Sequence, residues 1–180
     1  MSRSLVPVLA GSATQKSGIA ELMNALVHYM PAPVEAGEVT AAIPASNDGT
    51  VQLSCQVDGP LAAIVFKTTA DPFVGKLSFF KVCSGIIRSN MEVWNATKSQ
   101  AERIGQLFVP RGKSQEQVSE LVAGEIGAVA KLASTVTGDT LCAKETPLVF
   151  EALQFPTPIY SVAVSPKSKA DLDKMSATLA

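Results

Sequence analysis

The chain has 180 residues, of which 47% are hydrophobic and 17% charged, with a formal net charge of −1. That much apolar material supports a buried core and excludes disorder for the bulk of the chain. No apolar run approaches the ~20 residues of a membrane span, and Met1 to Pro7 lacks the apolar segment of a secretory signal. The sequence therefore predicts a soluble, cytoplasmic protein with no membrane partner.

The three cysteines, Cys55, Cys83 and Cys142, are scattered and form no Cys-x-x-Cys pair, and His28 is the only histidine. This argues against a metal site. The thiols read as small buried apolar groups in a reducing compartment, and His28, beside Val27 and Tyr29, as a packed or half-exposed side chain. Charge is unevenly spread. From Lys67 to Lys113 eight cations face three acids, a local charge of +5 that leaves −6 for the remainder. Such a stretch suits a surface facing phosphate, although a solvated strand face has the same composition.

Leu5 to Leu9 predicts one short buried strand, broken at Ala10-Gly-Ser-Ala13. A helix follows with Ser17 as its cap, Glu21 in its first turn, and Ile19, Leu22, Met23, Leu26, Val27 and Met30 along one face; Pro31 and Pro33 end it. Strand, loop and helix together read as the last βα unit of an α/β domain. Val34 to Gly59 is rich in Ala, Gly, Thr and Ser and reads as a linker holding one small hairpin, turned at Asn47 to Thr50 before Val51 to Cys55.

From Leu61 to Val109, β-branched and aromatic residues alternate with Gly, Pro, Asn and Asp, as in an antiparallel barrel or sandwich. The expected strands are Leu61–Lys67, Lys76–Val82, Ile86–Trp94 and Ala101–Val109, with turns at Asp71–Gly75, fixed by Pro72, at Ser84-Gly85 and, within the third run, at Ser89-Asn90. In the second of these, Leu77 and Phe79 oppose Phe80 and Val82, which requires either two covered faces or a bulge. Trp94 reads as core or interface packing.

Arg111-Gly-Lys-Ser114 follows a strand, precedes an expected helical turn at Gln115 to Val118, and ends like a phosphate-binding loop. That motif needs a glycine where Leu107 stands, so a basic surface loop is the better reading. Leu121 to Leu132 resumes the barrel with small residues where backbones approach closely, and Thr137 to Cys142 turns into another strand. Pro156 and Pro158 mark a boundary. An alternating strand at Tyr160 to Ser165 and a helix capped by Ser168 with Asp171 three residues on then begin a new unit. The chain stops inside this helix, so it is expected to be an excised piece, and association through the apolar faces of its terminal helices is expected. No paired acid and base, nucleophile with a base, or metal cluster is legible, so no catalytic residue is assigned.

Taken in order, Ala70 to Val82 (ADPFVGKLSFFKV), Glu102-Arg-Ile-Gly105, Ala123-Gly-Glu-Ile126, Thr137-Gly-Asp-Thr-Leu-Cys142 and Phe155 to Val164 (FPTPIYSVAV) resemble bacterial elongation factor G over nearly the whole chain. The resemblance implies a mainly β fold. A translation-factor-type antiparallel β-barrel would occupy residues 59–155, preceded by the end of a GTP-binding domain (1–33) and a linker (34–58), and followed by the start of a third domain (156–180).

It implies further that Ser12 and Ala13 belong to the last guanine-recognition loop, that Arg103, Arg111 and Lys113 meet ribosomal RNA phosphates, and that the parent is a ribosome-stimulated GTPase that moves tRNA and mRNA. GTP and magnesium would serve the intact parent, with none expected to bind this piece alone, and the partners would be small-subunit RNA and proteins rather than DNA. Three alternatives stay open: a diverged paralogue or a ribosome-protection or release-factor-type GTPase; a free-standing phosphate-binding enzyme using Gly112, Lys113 and Ser114; and a barrel adaptor binding only protein.

Overall fold

The computed structural model describes residues 6–44, 49–71, 75–112, 114–169, 171–172 and 175. One helix, α1 (Ile19–Tyr29), a 3-10 turn at Pro33–Glu35, and a short hairpin of β1 (Val39–Ala42) and β2 (Thr50–Leu53) precede the main sheet. Then come β3 (Ala62–Asp71), β4 (Gly75–Ser84), β5 (Ile86–Arg88), β6 (Glu92–Asn95), β7 (Gln100–Arg103), β8 (Leu107–Arg111), β9 (Ser114–Val118), β10 (Glu120–Val122), β11 (Ile126–Ala130), β12 (Thr140–Cys142) and β13 (Val149–Phe150). Eight of these form one antiparallel sheet in the order β7-β6-β12-β3-β4-β11-β8-β9.

The sheet curls because its two ends belong to one continuous stretch: Ile104 to Gln106 leads from β7 at one edge into β8 near the other. Ile104 N–H donates to Met91 O at 2.9 Å, and Ser89 N–H to Ser119 O at 2.8 Å. The β5/β10 ribbon fills the remaining side, with Leu121 opposite Ile87 and both side chains fully buried. Inside lie Val65, Phe80, Val82, Leu107, Val129 and Leu141. Each such side chain contributes about 1.5–3 kcal/mol by leaving water, so this cluster carries the barrel.

The conflict in β4 is settled on its neighbour. Val65 pairs with Phe80 and Lys67 with Phe79, so Phe66 is an extra residue in β3. The bulge changes which face each side chain takes. Phe80 and Val82 consequently point into the core, while Phe79 turns outward with Lys67 Nζ 5.6 Å from its ring centre. Small residues matter where expected: a Cβ on Gly127 would lie 2.1 Å from Leu121 Cδ1 and 3.1 Å from Phe108 O.

A second cluster covers the outside of the barrel. β1 pairs with β2 on one side and β13 on the other, so residues from before and after the barrel share a three-stranded sheet. Ala41, Leu53, Leu148 and Phe150 pack there against Ala62, Ala96 and Cys142. The stretch expected to link domains thus contributes a hairpin that buries apolar surface on the barrel. Trp94 is half-buried against the same cluster, with Lys144 Nζ 5.3 Å from its ring centre.

Several expectations are corrected. The turn expected at Ser89-Asn90 does divide Ile86–Trp94 into two strands, with Asn90 at φ 65°, whereas Ala101–Val109, expected as one strand, is broken at Ile104 to Gln106. Gln115–Val118 is strand β9, not a helical turn, because it pairs along its whole length with β8. The helix cap is Gly18 at φ 76°, with no side-chain cap, since Ser17 is engaged in a backbone bridge to Ser12. The strand expected within Leu5–Leu9 does not form over the described residues 6–9, where Val8 is 92% exposed. Likewise Tyr160–Ser165 joins no ladder, and Tyr160 is 83% exposed; a lone strand has no partner for its backbone groups. Beyond it, Ser168 Oγ bonds Asp171 Oδ2 at 2.7 Å and the chain turns helical at Lys169, as the capping pattern implies. The turns at Asn47–Thr50 and Asp71–Gly75 lie partly outside the described residues.

Candidate functional site

Ser12 and Ala13 sit in a tight loop before α1. Ser12 N–H donates to Ser17 O at 3.0 Å, Ser17 N–H returns to Ser12 O at 3.1 Å, and Lys16 N–H donates to Ala13 O at 3.3 Å. The two arms touch. A Cβ on Gly18 would come within 2.6 Å of Ala10 O, and Gly18 also needs its left-handed φ, so glycine is required twice over. Among the described residues Ala13 N–H donates to no other group, whereas the Ser12 amide is consumed within the loop. Of the pair, Ala13 therefore holds the backbone donor that a ligand carbonyl could accept. A cavity of about 240 Å³ lies alongside, lined by Leu9, Ser12, Ala13, Ile19 and Leu22 among others.

Arg103 ends β7, exposed, in register with Glu92 on β6. Together with Gln106, Phe108 and Lys131 it lines a concavity of about 360 Å³ on the barrel wall. Lys131 is brought there by its own backbone: at φ 62° the chain leaves β11, and Lys131 N–H donates to Lys76 O at 2.9 Å. Two exposed cations beside a half-buried aromatic ring form a surface that can hold a phosphate against a flat apolar face.

The other basic candidates are differently placed. Arg111 Nη2 pairs with Glu116 Oε2 at 3.2 Å across the β8/β9 hairpin, and Arg88 with Glu120 at 3.1 Å. Lys98 Nζ sits 3.5 Å from Asp139 Oδ2 and donates to Ser134 O. Lys113 lies outside the described residues. Gly112, at φ 61°, and Ser114, whose Oγ donates to Arg111 O at 2.9 Å, make a hairpin tip leading into a strand. A phosphate-binding loop requires a helix N-terminus at that point, so the reading of Gly112, Lys113 and Ser114 as a nucleotide site is overturned.

The loop after Lys131 is held by a buried carboxylate. Glu102, 4% exposed, accepts N–H bonds from Ala133 at 3.1 Å, Ser134 at 2.7 Å and Thr135 at 2.9 Å, and O–H bonds from Ser134 and Thr135 at 2.8 and 2.9 Å. Burial alone would raise its pKa, but the hydrogen bonds from Ser134, Ala133 and Thr135 outweigh it and hold the carboxyl below the ordinary glutamate value. Asn95 Nδ2 extends the network to Thr135 Oγ1 at 3.0 Å and Asp139 Oδ2 at 2.8 Å. This network holds the Ala133 to Thr135 loop against β6 and β7.

Sequence reasoning singled out Arg103 but neither Lys131 nor Phe108. Their meeting depends on antiparallel pairing of β8 with β11, in which Ala128 faces Phe108, and no local pattern announces that. Among the described residues no group of three or more His, Cys, Asp or Glu could hold a metal ion, and no helix is long and apolar enough to cross a membrane.

Residues 60–144 match the family model described as Elongation factor G domain 2. This segment, which spans β3 through β12 and holds Arg103, Phe108 and Lys131, is similar to a domain of the translation-factor type.

Proposed function

We propose that the chain is part of a cytoplasmic, elongation-factor-G-like GTPase and that its barrel docks on the small ribosomal subunit, relaying nucleotide state during translocation of tRNA and mRNA. The observation that carries this reading is the concavity of Arg103, Phe108 and Lys131 within the matched segment. Arg103 has no ion pair among the described residues to break before it can meet a phosphate. Ser12 and Ala13 would serve guanine recognition in the intact parent, which would carry GTP and magnesium; Ala13 N–H is the donor that fits that role. Arg111 would have to exchange Glu116 for a phosphate.

The test is co-sedimentation of the chain with small ribosomal subunits over a range of salt. Phosphate contacts release counterions, so binding should weaken steeply with salt, and Arg103→Ala should reduce the log–log slope by about one. Binding that ignores salt, or an Arg103→Ala variant with the wild-type slope, would refute the assignment. Ribosome-stimulated GTP hydrolysis by the full-length parent would separate an active translocase from a diverged paralogue.

A further inference from the structure

The three cysteines, distant in sequence, converge on the layer between the small sheet and the barrel wall. Cys142 is buried there, and its thiol donates to Trp94 O at 3.5 Å. Cys83, on the outward face of β4, packs half-buried against the same cluster. Cys55 follows β2 and is also half-buried. Cys55 and Cys83 line one cavity of about 60 Å³, room for only a few water molecules, together with Leu53, Lys81 and Val82.

The backbones carrying these two residues are tied together. Gly85 N–H donates to Gln56 O at 2.8 Å, joining the neighbour of Cys55 to a residue two beyond Cys83. On the other side, Gly124 N–H donates to Val82 O at 2.8 Å, and a Cβ on Gly124 would lie 3.2 Å from Cys55 Sγ. Cys55 Sγ is thereby placed against the strand that bears Cys83. Burial pushes the Cys83 thiol up, while the Lys81 ammonium favours its thiolate.

We propose that Cys55 and Cys83 are a redox-sensitive thiol pair, closed to a disulfide by hydrogen peroxide, which fastens the β1–β2 hairpin to the barrel wall. The Cys55 thiolate attacks one peroxide oxygen, the O–O bond breaks, and the departing hydroxide takes up the thiol proton as water. The resulting sulfenic acid is attacked by the Cys83 sulfur; the S–S bond forms as the S–O bond breaks, and the second proton leaves with that oxygen as water. Two thiols and one peroxide thus give one disulfide and two waters. Burial disfavours the Cys83 thiolate, which suits Cys83 to the resolving step.

The chain is treated with hydrogen peroxide, alkylated, digested without reductant and mapped by mass spectrometry. The expected product is one intramolecular peptide pair linking Cys55 to Cys83, lighter by two hydrogens, reversed by dithiothreitol and retained in Cys142→Ser. Cys83→Ser should leave a sulfenic acid at Cys55 that dimedone captures, and oxidised wild type should melt at a higher temperature than reduced. Thiols that stay reduced, a bridge through Cys142, or linkage only between molecules would overturn the proposal. The wild-type map decides the matter even if a variant folds poorly, and its outcome does not depend on ribosome binding.

Discussion

Replacing Glu102 with alanine removes the acceptor for three backbone N–H groups and two hydroxyls in the Ala133 to Thr135 loop. A hydrogen bond to a charged group contributes about 1.5–3 kcal/mol net, and a buried donor left without a partner costs about 1–3 kcal/mol. The hydroxyls can turn to water, and the five bonds act as one unit rather than adding. The expected loss is therefore about 3–5 kcal/mol, at the upper end of single substitutions. Glu102→Gln keeps the shape and one acceptor oxygen but turns an amide N–H₂ toward a donor, for an expected loss of about 2 kcal/mol. Urea unfolding followed by far-UV circular dichroism measures both. The pH dependence has a definite sign. Since the folded carboxyl is more acidic than the unfolded one, the unfolded chain takes the proton first as pH falls. The stabilisation is therefore complete above the unfolded value of about 4.3 and is lost as pH falls below it through the folded value. Glu102→Gln should flatten that part of the profile. A loss under about 1 kcal/mol for Glu102→Ala, or an unchanged acid limb in Glu102→Gln, would show that the loop is held by something else.

Two further substitutions test the packing. Gly127→Ala should cost about 1–3 kcal/mol, because its Cβ would meet Leu121 Cδ1 at 2.1 Å in a fully packed core; thermal unfolding of a variant as stable as wild type would contradict the close approach of β10 to β11. Lys144→Ala should change the emission of the sole tryptophan while costing under about 1 kcal/mol, since the cation over Trp94 is exposed; identical spectra would mean that the lysine does not sit over the ring.

Much of the barrel is legible because its signals are local. The β3/β4 hairpin shows alternating β-branched and aromatic residues around a Pro and Gly turn, and Thr140–Cys142 follows a Thr-Gly-Asp turn that the structure keeps, with Gly138 at φ 96°. The small residue at Gly127 also reads correctly. What escapes the sequence is long-range. The bulge at Phe66 is visible only against the register of β4. The turn at Ser89-Asn90 is local and legible, but that its two arms join different sheets follows from where β10 and β7 lie. Glu102 looks like any strand glutamate until the chain returns some thirty residues later with three unpaired N–H groups. Ser17 has the chemistry of a cap, yet the crossing of Gly11 and Gly18 claims its backbone for a bridge. In the site, Arg103 was legible as a cation in a basic stretch, whereas its companionship with Lys131 and Phe108 is a property of strand order.

The pairing of Ala41 with Phe150 places the strand before the barrel directly beside the strand after it. Everything between them is a closed excursion that starts and finishes at one point, so the barrel is built like a plug-in module. Its neighbours on either side need tolerate only a single pair of adjacent chain ends, the condition under which domains are inserted, exchanged and permuted without disturbing what flanks them. The same arrangement sets an order of assembly during synthesis. The β1–β2 hairpin emerges first and cannot complete its sheet until the whole barrel has followed, so that sheet closes only on a barrel already synthesised to its last strand.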